Sequence, residues 1–136
     1  MAIHQRRPSF PDVVVVCCIC ILPDKLLVIG HSLGGGVAKI SGIKAGVKSV
    51  AFNSPGLLFS AQRLDLRTND INAGVVNIRS ETDAISAIDS LGGVVQTIKC
   101  FEANGDWVSC HSVINQAAEL QAACRFADKR VWAKYA

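Results

Sequence analysis

The stretch Lys25-Leu26-Leu27-Val28-Ile29-Gly30-His31-Ser32-Leu33-Gly34-Gly35-Gly36-Val37-Ala38 decides the fold. Lys25–Ile29 is a short continuous apolar run, the pattern of a strand buried on both faces. Gly30 ends it. From Leu33 the period changes: Leu33, Val37, Ile40 and the stem of Lys44 recur at helical spacing, and Gly46 is a helix stop. Between strand and helix lies Gly30-His31-Ser32-Leu33-Gly34, a G-x-S-x-G pentapeptide. The strand–turn–helix context gives that motif its weight. A serine lifted off a sheet on a sharp turn needs small residues two before and two after, and here both are glycine. The helix N-terminus behind it is partly positive, and the backbone N–H of Leu33 becomes a donor to a developing oxyanion.

Downstream, Val47–Phe52 reads as a strand, broken by Asn53-Ser54-Pro55-Gly56. Residues 57–73 read as loop with one helical turn, and Gly74–Arg79 as a further strand. Ser80–Asp89 reads as a loop with a short helix, Val94–Phe101 as a strand, and Glu102–Cys110 as a polar loop. From Ser112, Val113, Ala117, Leu120 and Cys124 again show helical spacing. Alternation of this kind predicts an α/β fold with a mostly parallel sheet flanked by helices. In such sheets the chemistry sits past the carboxyl ends of the strands.

A serine hydroxyl needs a base, and the chain has three histidines. His4 lies in the irregular N-terminus. His31 adjoins Ser32, but neighbours on a tight turn point apart, so it is expected to pack beside the turn. His111, past the last strand, is the candidate base. The base needs an orienting carboxylate. Asp83 is favoured, deeper in its loop than Glu81 and closer to the strand end than Asp89. The order Ser32, Asp83, His111 is the nucleophile–acid–base order of α/β-hydrolases. Gly34-Gly35-Gly36 reads as close helix–sheet packing, since a phosphate loop would end in Lys-Ser/Thr.

These residues reach a family. Val28–Ala38, Ala51–Gly56, Val76–Asp83 and Cys110-His111-Ser112 together resemble the class 3 (fungal-type) lipases, from residue 25 to about 120. The resemblance implies a carboxylester hydrolase of triacylglycerols or phospholipids, with a Ser–His–Asp triad, no metal and no cofactor. It also implies several strands and helices before the elbow, including the second oxyanion donor. Only 29 residues precede Gly30, and they do not resemble that segment. The expectation is a partial domain over 25–136, behind an irregular segment 1–24, with weak or no turnover. The rival is an impaired lipase-like chain serving as an interaction module.

Composition fits a globular protein: half the residues are hydrophobic and 18% charged, with a net charge of +3. The basic residues are scattered without an aromatic-interleaved stripe, which argues against a nucleic-acid partner. The expected partner is a lipid or ester substrate, with contact at a lipid–water interface. Of the six cysteines, Cys17, Cys18 and Cys20 read as small buried hydrophobes, without the partner cluster of a zinc site. Cys100 and Cys110 flank a short loop and could be bridged in an oxidising compartment. The compartment and the oligomeric state stay open. The apolar run Val13–Leu22 follows Arg6-Arg7 and invites a signal-peptide or anchor reading. Pro11 and Asp12 interrupt that pattern, no small-x-small site follows, and ten residues are too few to span a bilayer as a helix. The run is expected to form regular structure packed on the sheet.

Overall fold

The computed structural model describes residues 26–100 and 106–124. The expected packing of Val13–Leu22 and the N-terminal segment lie outside them. The order of elements is β1 (Leu27–His31), α1 (Ser32–Ala45), β2 (Lys48–Phe52), α2 (Thr68–Gly74), β3 (Val75–Ser80), a 3₁₀ turn (Ile85–Ala87), β4 (Val94–Ile98), α3 (Trp107–His111) and α4 (Val113–Cys124). The strands form a four-stranded sheet in the order β1-β2-β3-β4, with every pair parallel. This is the α/β fold that the alternation of patterns predicts. Among the described residues no helix is long and apolar enough to cross a membrane.

The first helix forms where its period places it, but it does not bury the residues that reveal that period. Leu33 is 74% exposed and Val37 47%, whereas Gly35, Gly36, Ala38, Lys39 and Gly42 are buried. Apart from Lys39, the sheet-facing stripe is made of small residues because α1 lies close on β1 and β2. A Cβ on Gly35 would stand 2.6 Å from Ser54 Cβ and 2.9 Å from Gly30 O. Gly46 stops the helix in the left-handed region at φ 69°, and its amide returns to the last turn.

The other expectations change at their edges. The stretch 57–66, read as loop, supplies a core: Leu57, Ala61 and Leu66 are buried with Ile71 and Val75, against Ile40 and Ile43 of α1. The fourth strand stops at Ile98, three residues short of Phe101, with Ile98 O accepting from Glu81 N. The polar loop before His111 contains a helix, α3. Asp106 accepts from Val108 N at its start, a side-chain cap for an otherwise unpaired amide. His111 is therefore the last residue of a short helix and not a loop residue.

Candidate active site

Ser32 stands at the junction of β1 and α1 with φ +56°, a conformation a non-glycine side chain seldom adopts. The turn is tight because Gly30 allows it: a Cβ there would lie 2.3 Å from Gly34 O. Gly34 plays a different part from the one its spacing suggests. A Cβ at Gly34 would meet nothing within 4 Å, and the close approach falls on Gly35 instead. Before Ser32, His31 is extended in the N-cap position, and its side chain makes no capping bond to the first amides of α1. Leu33, whose N–H was the expected oxyanion donor, belongs to that first turn, which also carries no acidic residue.

The three side chains singled out by the sequence lie together, past the ends of three different strands. Ser32 Oγ is 2.8 Å from His111 Nε2, and His111 Nδ1 is 2.7 Å from Asp83 Oδ1. With the ring neutral and its proton on Nδ1, Nδ1–H donates to the carboxylate and Ser32 Oγ–H donates to Nε2. The Asp83 side chain is wholly buried, while that of His111 is 21% exposed. The 3₁₀ turn that follows Asp83 holds it: Ser86 N donates to Asp83 Oδ2 at 2.8 Å, and Ser86 Oγ to Asp83 O at 3.1 Å. The competing carboxylates lie elsewhere. Glu81 is exposed. Asp89 clamps the 57–66 segment by accepting from Phe59 N, Ser60 N and Ser60 Oγ.

A residue the sequence did not flag holds this assembly, together with the Cys100–Cys110 pair and His31. Asn53, at φ +42° just past β2, is fully buried. Its Nδ2 donates to Cys110 O at 2.8 Å, and its Oδ1 accepts from Ser80 N at 2.7 Å and Gln116 Nε2 at 2.9 Å. One amide thus joins the ends of β2, β3, α3 and α4. The available signal was an asparagine directly after a strand, where its tolerance of positive φ is useful. A Cys100–Cys110 disulfide, with Cα atoms 5.6 Å apart, ties α3 to the chain just past β4. His31 does pack beside the turn, and its Nε2 lies 2.8 Å from His111 O.

Lys39 is the other unflagged residue. It is fully buried, and its Nζ donates to Pro55 O and, at 3.0 Å, to Asn77 Oδ1. Burial pulls its pKa down to about 8. Its signal was its place at i+4 from Gly35, on the small-residue stripe.

Around the serine and histidine the surface is apolar. Leu33, Trp107, Val108, Val113 and Ile114 are all more than half exposed. Beside the elbow, Ile29, Gly30, His31, Phe52, Val113, Ala117 and Leu120 line a cavity of about 270 Å³.

This α/β protein therefore carries a serine, a histidine and a buried carboxylate in one hydrogen-bonded line at its strand ends. No family model matches the chain. It is similar to the protein described as "Putative lipase ATG15" of Vanderwaltozyma polyspora, at 54% identity over 37 residues. That match spans 27% of this chain and 6% of the relative's length, and it supports a lipase-like relationship.

Proposed function

We propose that this chain is a serine carboxylester hydrolase acting on lipids. The observation that carries the reading is the continuous line Ser32 Oγ–His111 Nε2 and His111 Nδ1–Asp83 Oδ1, at 2.8 and 2.7 Å. In this reading Ser32 Oγ attacks the acyl carbonyl while His111 Nε2 takes its proton. Asp83 holds the ring tautomer and stabilises the imidazolium. The Leu33 N–H donates to the carbonyl oxygen as it becomes an oxyanion. His111 then returns the proton to the leaving alcohol. A water, deprotonated by the same nitrogen, cleaves the acyl-enzyme and regenerates Ser32. The exposed apolar residues around Ser32 and the cavity beside the elbow support an ester with a fatty acyl chain, presented at a lipid–water interface.

The test is labelling by a fluorophosphonate and hydrolysis of a short-chain nitrophenyl ester, by wild type and Ser32→Ala. Covalent labelling and turnover that both vanish in Ser32→Ala are the expected result. Absence of labelling in the folded wild type would overturn it. A second reading, an impaired lipase-like interaction module, takes its support from the assignment of one oxyanion donor, Leu33 N–H, among the described residues, since losing one such donor costs about 10²–10³ in turnover. Stoichiometric labelling with turnover barely above the Ser32→Ala blank would select it.

A further inference from the structure

The way His111 is held points to a task for its neighbour in the elbow. α3 has five residues, so its last carbonyls find no partner within the helix. Two of them are met from the sheet. Asn53 Nδ2 donates to Cys110 O, and His31 Nε2 donates to His111 O, both at 2.8 Å. The donors come from the ends of adjacent strands, for His31 pairs in register with Phe52, the residue before Asn53. A carbonyl only accepts, so His31 carries a proton on Nε2.

Ser32 and His31 grip His111 from two sides. Ser32 meets the ring at Nε2, and His31 meets the main chain at the carbonyl, with ring centroids 4.9 Å apart and tilted by 43°. Consecutive residues of one strained turn thus address two parts of the same residue. The turn that carries the nucleophile therefore contributes directly to holding the base, beside Asn53, Asp83 and the Cys100–Cys110 bridge. Burial holds the His31 pKa below its ordinary value, so the ring donates in its neutral form. A neutral donor adds no second positive charge beside a base that becomes cationic during the reaction.

We propose that His31 is a positioning residue: its Nε2–H clamps the His111 carbonyl and fixes the His111 ring against Ser32 Oγ. The proposal rests on the hydrolase reading above for its catalytic consequence, but the clamp itself can be read without turnover.

Two variants separate a donor from a space-filler. His31→Leu keeps an apolar side chain of similar bulk and removes the donor. His31→Gln restores a neutral N–H donor. With a nitrophenyl ester, His31→Leu is expected to lower kcat by about 10- to 100-fold, the scale of an ångström's misplacement, with KM little changed. His31→Gln is expected to recover most of that loss. The second readout is the low-field proton resonance of His111 Nδ1–H bonded to Asp83, expected to be sharp in wild type and His31→Gln and broadened or lost in His31→Leu. A kcat in His31→Leu equal to wild type, or His31→Gln no better than His31→Leu, overturns the proposal. If wild type shows no Ser32-dependent hydrolysis, the hydrolase reading fails and the resonance alone decides. An unchanged resonance in His31→Leu then overturns the clamp, and its loss with recovery in His31→Gln upholds it.

Discussion

Ser32 and His111 stand 2.8 Å apart and are placed in opposite ways. Ser32 is set by its immediate neighbours: a strand ending at Gly30, a turn at φ +56° and a helix starting at once. His111 lies on a five-residue helix that cannot stand by itself. Its position is imposed by Asn53, Asp83, His31 and the Cys100 bridge, all distant in sequence except the last. A nucleophile can be written into one pentapeptide, whereas its base has to be assembled.

That contrast can be broken at its local pole first. Gly30→Val is expected to abolish cooperative folding, because its Cβ would lie 2.3 Å from Gly34 O, a backbone atom that cannot step aside. A sharp thermal melt near wild type would show that the elbow is slacker than described. Asn53→Ala tests the assembled pole. It strips a donor from Cys110 O and an acceptor from Ser80 N and Gln116 Nε2. Leaving such buried groups unpaired should cost about 3–5 kcal/mol in denaturant unfolding.

Behind the elbow, Lys39 is a long-range strut that joins α1 to Pro55 and to Asn77 of β3. Its pKa of about 8 in the fold lies below the ordinary 10.5 of the unfolded chain. Between those values the unfolded state binds more protons, so stability should rise with pH through that window, by roughly 3 kcal/mol in all. Lys39→Met should flatten this rise, while lowering stability by orphaning Pro55 O and Asn77 Oδ1. Chemical denaturation at pH 7.5 and 10 in both proteins would check it, and parallel slopes would refute it.

Removing the bridge by Cys100→Ser with Cys110→Ser should cost about 2–3 kcal/mol, the chain-entropy scale for a loop of ten-residue separation. It should also slow fluorophosphonate labelling of Ser32, because the helix that carries His111 loses its tie to the chain past β4. Gly34→Ala gives the smallest effect, and of opposite sign. With nothing within 4 Å of its Cβ, alanine should be neutral or stabilise α1 by up to about 1 kcal/mol. A loss of more than that would return Gly34 to the close-packed role its place in the pentapeptide suggests.

The sequence alone determined the parts governed by contiguous residues. The run Lys25–Ile29, the switch to helical period at Leu33 and the breaker at Asn53–Gly56 predict β1, α1 and β2, and the alternation beyond them predicts a parallel sheet. The chain order of Ser32, Asp83 and His111 made them candidates because a parallel sheet delivers every strand end to one edge. Only the tertiary structure decided which face of α1 is buried, because close helix–sheet approach selects Gly35, Ala38 and Gly42 over the larger Leu33 and Val37, and admits Lys39 only because Pro55 O and Asn77 Oδ1 meet its Nζ. Only it found α3, whose five residues carry too little periodicity to be seen. The duties of Asn53, Lys39 and His31 are likewise invisible along the chain: a buried polar side chain is defined by partners 16 to 80 residues away, which spacing along a sequence does not encode.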